Sequence, residues 1–325
     1  MNVLITSCSA KVRLVRSFKE AFHPHGGKVF ACDISSESAA LFEADAGIVV
    51  PLTSNPSFIP IMEKLCLENS ITLLVPTRNE ELYLFAELSD NLRNGGTTVL
   101  TPSKKTLDLC LNKKEFNKFC TTNGFPIAQE INAEEIPAFP VFARPIEGSG
   151  SKGIMRINNI DEWNAILKNV ESFVIQQFIQ DPEYSIDVLL DLKSKPLQAV
   201  SRRRIEIIDG ESSKGRIEND ELLEQMSLDL CSKMGCIGHN VVQAFKSETG
   251  DIKIIEVNPR FGGGSSLSIS AGLDSPSRLA ELLSGNYEAA AIKRSIHHGL
   301  TMLRFSDDIL VDEDGFSSLT QASAK

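Results

Sequence analysis

Residues 252–264, which read IKIIEVNPRFGGG, carry the strongest signal for the fold. The stretch begins as a strand, because four of its first six residues are β-branched and a Ser-Glu-Thr-Gly-Asp turn precedes it. Side chains of a strand alternate between its two faces. This alternation predicts one face, beginning in the core and ending in a site, made of Ile252, Ile254, Glu256 and Asn258.

The end of the stretch has the chemistry of a charged site. Pro259 has no N–H for a sheet ladder and ends the strand, Arg260 follows, and three glycines let the backbone turn away. The Glu256 carboxylate, the Asn258 amide oxygen and the Arg260 guanidinium suit a hard cation bound to a polyphosphate.

Residues 239–246 (HNVVQAFK) predict the partner strand of a hairpin. If Thr249-Gly250 is a two-residue turn, Gln243 falls opposite Glu256 and adds a third oxygen ligand. The alternative is an ordinary hairpin whose glutamate and asparagine are simply exposed.

Composition bounds the function. The 325 residues are 42% hydrophobic and 23% charged, enough for two or three packed units. A net charge of −10 argues against nucleic-acid and anionic-membrane partners, so an anion such as ATP needs locally placed basic groups. No apolar run approaches the roughly 18 residues of a membrane span. Seven cysteines without paired C-x-x-C spacing fit reduced thiols, and we expect a cytoplasmic protein.

The first part of the chain alternates strands with helices. Strands are predicted over 2–6, 28–33, 48–50 and 71–75, and helices over 11–22, 58–69 and 80–91. This alternation predicts parallel βαβ units in a Rossmann-like domain. The first loop, residues 6–10 (TSCSA), has no glycine, so the dinucleotide fingerprint is absent and NAD is not assigned.

The next part predicts a phosphate-binding loop. A helix over 106–122 and a strand over 139–143 precede residues 144–153, RPIEGSGSKG. The strand delivers Arg144 into a loop of small residues whose N–H groups can approach an anion, and Lys152 adds charge. The alternative is a flexible hairpin loop.

Two later segments carry weaker signals. Arg202 and Arg204 share one face of a strand-like run, a pattern more typical of a solvated surface than of a site. Residues 306–325 become acidic and then Ser/Ala-rich, which predicts a frayed tail.

Taken in order, these pieces resemble the ATP-grasp enzymes, the superfamily of carbamoyl phosphate synthetase, biotin carboxylase and D-alanine–D-alanine ligase. The resemblance implies an α/β and α+β architecture: a Rossmann-like pre-ATP-grasp domain (1–100), a two-lobed ATP-grasp domain (101–305) and a C-terminal tail (306–325). The lobe with the glycine loop would span about 112–175, and the metal-binding lobe about 176–305.

The resemblance also implies a nucleotide site. Phosphates would be bound by basic residues and a mobile glycine loop: Lys113, Arg144, Gly148, Ser149, Gly150, Ser151, Lys152 and Gly153. The adenine edge would pair with the main chain at Gln177 and Ile179, and Glu183 would accept the ribose hydroxyls.

The metal site and the reacting end follow from the same resemblance. Magnesium, as two ions with Mn²⁺ as the alternative, would be held by Gln243, Glu256 and Asn258. Charge at the reacting group would be offset by Arg260, Arg204 and Lys214. Gln177 departs from the usual hinge glutamate, whereas Gln243 and Arg144 resemble the carbamoyl phosphate synthetases.

The implied activity is phosphoryl transfer from MgATP to a carboxylate, giving an acyl phosphate that an amine then attacks. Two alternatives stay open: a stand-alone carbamoyl-phosphate-synthase-like enzyme acting on bicarbonate, and a non-catalytic ATP-binding subunit. Partners would be small-molecule carboxylates and amines, with a homodimer left open. Loops at residues 6–11 and 76–80 are predicted to select the substrates.

Overall fold

The N-terminal part is a parallel sheet covered by helices, in a computed structural model that describes residues 1–148 and 152–322. Its first strands are β1 (Asn2–Thr6), β2 (Val29–Asp33), β3 (Ala46–Val49), β4 (Ile71–Val75) and β5 (Thr98–Val99). The helices are α1 (Val12–Phe22), α2 (Ala39–Glu43), α3 (Phe58–Glu68) and α4 (Asn79–Asn94). The order β3-β2-β1-β4-β5 confirms the Rossmann-like prediction and makes β1 and β4 neighbours.

Two helices follow where one was predicted over 106–122, and they are α5 (Lys104–Leu111) and α6 (Lys113–Thr122). Asn112 has an extended backbone, and its side chain accepts hydrogen bonds from the N–H groups of Lys114 and Glu115. Asparagine is a strong N-cap, so it ends one helix and starts the next. The break places Lys113 at the first position of a helix.

A small antiparallel sheet contains β6 (Val141–Pro145), β7 (Met155–Ile157) and β8 (Phe173–Gln177), with β6 in the middle. Helix α7 (Ile160–Ile166) covers one face, where the buried Trp163 packs with apolar residues of all three strands. The apolar core of this small sheet therefore fixes β6, which carries Arg144.

A large antiparallel sheet makes up most of the remainder. Its strands are β9 (Glu183–Leu190), β10 (Pro196–Ile208), β11 (Glu211–Glu218), β12 (His239–Lys246), β13 (Ile252–Asn258) and β14 (Thr301–Leu303), in the order β13-β12-β9-β10-β11-β14. Helices in this part are α8 (Glu221–Met234), α9 (Ser265–Ser268), α10 (Ser275–Leu283) and α11 (Tyr287–Ala291). One face of the sheet is apolar and packs with α5, α6 and α8. The other face carries most of the charged residues discussed below.

A β-bulge at Ile255 corrects the predicted face of β13. Ala244 pairs with Ile254 but Gln243 pairs with Glu256, so Ile255 is an extra residue in the ladder. Ile254 therefore joins the apolar core, and Glu256 points to the opposite face. The prediction that Ile252 and Ile254 share a face with Glu256 and Asn258 is wrong.

The hairpin turn is also longer than predicted. Ser247 donates its N–H to the Asp251 carbonyl at 2.9 Å, which leaves a three-residue loop ending in Gly250 at φ +92°. This loop shifts the register by one residue, and the bulge shifts it back. The predicted pairing of Gln243 with Glu256 is thus confirmed, although two deviations produce it.

The C-terminal segment is not frayed as far as residue 322. Helix α12 (Glu313–Ser317) and strand β15 (Thr320–Gln321) return to the first sheet, where β15 pairs in parallel with β3. The Phe316 and Phe42 rings pack edge to face, with centroids 5.2 Å apart. The prediction of a frayed tail is wrong here, because apolar side chains and a free sheet edge offset the cost of ordering the segment.

Candidate active site

Lys113 is a buried cation at the start of α6. Its side chain is 8% exposed, and Nζ donates to the Gly148 carbonyl at 3.2 Å. Burial lowers the pKa of Lys113, while the nearby Glu256 carboxylate opposes that shift. The charged end of Lys113 is thus largely removed from water, and no carboxylate among the described residues forms a salt bridge with it.

Arg144 is a second buried cation, delivered by β6. Its Nη1 donates to the Ile255 carbonyl at 3.1 Å, and its Nη2 donates to Gln176 Oε1 at 2.7 Å. Ile255 is the bulge residue, so the irregularity in β13 supplies this acceptor. Nε is buried without a hydrogen-bond partner among the described residues, and burial lowers the pKa of Arg144.

Three oxygen-bearing side chains meet on the open face of the hairpin. Gln243 lies opposite Glu256, and Asn258 Nδ2 donates to Glu256 Oε1 at 2.8 Å. Across residues 1–148 and 152–322, no cluster of three His, Cys, Asp or Glu side chains is arranged to hold a metal. One carboxylate and two amide oxygens nevertheless fit Mg²⁺, which keeps waters and takes further ligands from phosphates.

Arg260 connects this group to the N-terminal sheet. Its Nε donates to Asn79 Oδ1 at 2.6 Å, at the start of α4, and its Nη2 donates to Asn258 Oδ1 at 3.2 Å. Burial lowers the pKa of Arg260, and Glu256 again opposes the shift. Glu256 therefore opposes the pKa shift of all three cations, Lys113, Arg144 and Arg260, and the hydrogen bonds of these cations go to neutral oxygens.

The other predicted residues form ion pairs of their own. Arg204 forms an ion pair with Glu183, so the residue predicted at the reacting group lies beside the one predicted at the ribose. Burial raises the pKa of Glu183, and Arg204 opposes that shift. Lys214 is half exposed, with Nζ 3.2 Å from Glu206, and within the described part of the chain it has no contact with Glu256.

The predicted hinge and loop residues are only partly described. Gln177 is exposed, with its N–H donating to the Gln129 carbonyl at 2.9 Å, and Ile179 is half-buried just beyond β8. Lys152 is exposed, as is Gly153. Ser149, Gly150 and Ser151 lie outside the described residues, so their predicted role stays a prediction.

A buried charged network, which the sequence patterns did not predict, lies on the face of the large sheet that also carries Glu256. Asp187 forms an ion pair with Arg202 and accepts from Ser268 Oγ at 2.5 Å. His239 Nε2 lies 2.9 Å from Asp187 Oδ1, and its ring stacks on Phe261 at 4.1 Å. A charged residue inside the otherwise apolar run of β9 was the one signal that could have revealed it.

Two family models match the chain. The PylC-like N-terminal domain matches residues 3–100, and the model described as ATP-grasp in the biosynthetic pathway with Ter operon matches residues 169–304. Residues 169–304 therefore match an ATP-grasp family, and the chain has the fold of the ATP-grasp enzymes.

Solved structures share the fold at low identity. A biotin carboxylase from Campylobacter jejuni, solved as a β,γ-ATP complex, has a TM-score of 0.70 at 16% identity, covering 87% of this chain and 71% of that one. The biotin carboxylase domain dimer of the Hydrogenobacter thermophilus 2-oxoglutarate carboxylase, in complex with MgADP, ADP and bicarbonate, gives 0.67 at 15%, covering 87% and 69%. An L-amino acid ligase from Bacillus licheniformis gives 0.66 at 19%, covering 90% and 77%.

The curated relatives are also distant. They are 21–26% identical over the matched parts, and the chain spans less than half of their length. No helix in residues 1–148 and 152–322 has the length and apolarity needed to cross a membrane.

Proposed function

We propose that the protein is an ATP-dependent ligase that activates a carboxylate as an acyl phosphate for attack by an amine. The observation that carries the proposal is the convergence of Lys113, Arg144 and Arg260 around Glu256, with their hydrogen bonds made to neutral oxygens. Desolvated cations without a salt-bridge partner cost free energy, and a polyphosphate with Mg²⁺ compensates that cost.

Each residue takes a part set by its position. Lys113 and Arg144 bind phosphate oxygens, and Glu256, Gln243 and Asn258 supply the ligands of Mg²⁺. When bound, Mg²⁺ neutralises phosphate charge and orients the transferred group. Arg260, which donates to Asn79 of the N-terminal part, offsets charge on the acceptor carboxylate.

The reaction has two steps, and the protein contributes mainly by aligning the reactants and by offsetting their charge. A carboxylate oxygen attacks the γ-phosphorus, and the bond from that phosphorus to the ADP oxygen breaks. The amine then attacks the acyl carbon, phosphate leaves and one proton is lost. Glu183 and Arg204 are assigned to the ribose end, because they form one ion pair.

The first experiment separates nucleotide classes. Calorimetry should show MgATP binding and no comparable NAD binding. A screen of carboxylate and amine pairs for ADP release should then identify the substrates. Tighter binding of NAD than of MgATP would remove the assignment.

A second candidate is a stand-alone enzyme that activates bicarbonate. Arg144 and Gln243 favour it, because both resemble the carbamoyl phosphate synthetases. The Hydrogenobacter domain is a complex with bicarbonate, which supports the same candidate, whereas the L-amino acid ligase structure supports the first one. Phosphate release from ATP with bicarbonate alone, without an organic acid, would establish the second candidate. The absence of ADP formation with every acceptor would leave a non-catalytic ATP-binding subunit.

We also propose a domain organisation, an oligomeric state and a location for the protein. The boundaries 1–100, 101–305 and 306–325 follow the resemblance, although the last segment pairs with the first sheet. The dimeric Hydrogenobacter domain supports a homodimer, and light scattering would test it. A cytoplasmic location fits the seven cysteines, which are all free and buried.

A further inference from the structure

The N-terminal sheet reverses its strand order between β1 and β4, and we call the position beyond the carboxyl ends of these two strands the crevice. The loops that follow these two strands meet there: Thr77 Oγ1 donates to the Thr6 carbonyl at 2.8 Å, and Ser7 Oγ donates to Glu81 Oε2 at 2.8 Å. In open α/β sheets this position, outside the carboxyl ends of the strands, is where ligands bind. Arg260 reaches the same crevice through Asn79.

The loop after β1 is held in an unfavourable conformation. Ser7 and Ser9 have φ values of 50° and 43°, in the left-handed region that residues with a side chain rarely adopt. Asp33 fixes the loop by accepting from the Ser9 N–H at 2.7 Å. Backbone strain of this kind is concentrated at ligand sites, where the surrounding structure maintains it.

The crevice carries two cations that lack a salt bridge within the described residues. Lys11 Nζ donates to the Ser7 carbonyl at 3.1 Å, and the hydrogen bonds of Arg260 go to neutral oxygens. Three carboxylates nearby have other partners. Glu80 lies 3.5 Å from Arg78, Glu81 caps the start of α4, and Glu211 pairs with Arg304 at 2.7 Å. Burial and the charge of Arg260 lower the pKa of Lys11.

We propose that Lys11 and Arg260 together bind an acceptor with two anionic groups, the reacting carboxylate at Arg260 and a second carboxylate or phosphate at Lys11. This inference rests on the proposed ligase function. An acceptor with a single negative charge would leave one of the two cations partly desolvated without an anion. The second anionic group would therefore select the substrate, and Lys11 is a specificity-determining residue outside the ATP site.

The test uses pairs of acceptors in which one member, called the dianion below, has a second carboxylate or a phosphate that the other member lacks. Succinate with succinamate and glutarate with glutaramate probe a second carboxylate, whereas 3-phosphoglycerate with glycerate probes a phosphate. Calorimetry with the MgADP-bound protein measures binding without requiring turnover. For at least one pair the dianion should bind about 10- to 100-fold more tightly, as expected for a charge-assisted hydrogen bond.

Lys11→Met should abolish this preference, while Lys11→Arg should retain most of it. Lys28→Met is the matched control, since Lys28 is exposed and precedes β2 at the opposite end of the sheet. A panel in which no dianion binds more tightly than its partner overturns the inference, as does a preference that survives Lys11→Met. If MgADP binds weakly but the preference for the dianion is preserved, the proposed nucleotide site is wrong and the proposed anion site at Lys11 is supported.

Discussion

Two groups of buried charges in the protein differ in one respect. In the closed group, Asp187 is paired with Arg202 and His239, and all three side chains are at most 2% exposed. In the open group, Lys113 and Arg144 are also buried, but their hydrogen-bond acceptors are neutral oxygens. The closed group is complete in the protein itself, whereas within the described residues neither Lys113 nor Arg144 forms a salt bridge.

This difference separates stability from function. Breaking a complete buried pair leaves an uncompensated charge in the folded state and destabilises it. Removing a charge from an incomplete group removes a charge whose burial costs free energy of folding. Such a substitution should therefore weaken ligand binding or transition-state stabilisation more than it weakens the fold. Five substitutions or conditions test this separation, in decreasing order of effect.

Asp187→Asn should lower the free energy of unfolding by about 3–5 kcal/mol, because Arg202 is left buried without an anion. Chemical denaturation of the protein without nucleotide measures this loss. Asp229→Asn makes the same chemical change at an exposed position of α8 and should stay within about 0.5 kcal/mol. Equal free energies of unfolding for the two variants would show that the closed group does not stabilise the fold.

Glu256→Gln should reduce MgATP-dependent ADP release by roughly 10²–10³, because a positioned charge worth about 3–4 kcal/mol in the transition state is lost. The amide preserves the volume of the side chain and can still accept from Asn258 Nδ2. Asn258→Ala should cost less, since a neutral amide contributes less to a divalent cation. Unchanged turnover with an unfolding temperature well below that of the parent would make Glu256 a structural residue.

Lys113→Met should weaken MgATP binding about 10- to 100-fold and change stability by less than about 1 kcal/mol. The folded protein already disfavours this charge, since burial lowers the pKa of Lys113. Lys114→Met is the neighbouring control, because Lys114 is exposed and its Nζ contacts the Glu171 carbonyl. Calorimetry on both variants checks the prediction, and equal affinities would contradict it.

The stability difference between the parent protein and Asp187→Asn should narrow in acid. Burial alone would raise the pKa of Asp187, but Arg202 and His239 overcome this effect and hold the pKa below its usual range. A carboxyl with a depressed folded pKa stabilises the protein above its unfolded value near 4 and loses that contribution as pH falls. The gap should shrink by up to about 1.4 kcal/mol per pH unit below about pH 4. A gap that stays constant down to pH 2 would contradict the pairing.

Gln243→Glu should give the smallest change, lowering the Mg²⁺ concentration for half-maximal ADP release roughly three- to tenfold. The added carboxylate lies opposite Glu256 and raises the negative charge of the ligand set. A magnesium titration at saturating ATP measures this shift. If the Mg²⁺ requirement does not change, Gln243 is not a ligand.

Local patterns revealed much of the fold. The alternation of strands and helices predicted the parallel sheet, and the strand over 71–75 is observed with its predicted limits. The helix over 106–122 was wrong because a pattern of apolar residues cannot show that Asn112 caps a new helix. The tail was wrong because its ordering depends on the edge of β3, which is remote in sequence.

The sequence predicted which residues form the candidate site better than it predicted how these residues are arranged. The spacing of Glu256, Asn258 and Arg260 follows from one strand and its end, so a single sequence exposes it. The ion pair of Arg204 with Glu183 could not be predicted, because it joins two strands through their register.

Residue type and local periodicity were enough to identify the side chains available for chemistry: an E-x-N-P-R strand end, an arginine before a glycine loop and a lysine at a helix start. Their arrangement came from the three-dimensional fold, in which a bulge turns Glu256 away from Ile254 and Arg260 donates a hydrogen bond to Asn79 at the start of α4. The physical reason is that strand register and the contacts of Arg144 and Arg260 depend on partners more than 100 residues away, which no local pattern encodes.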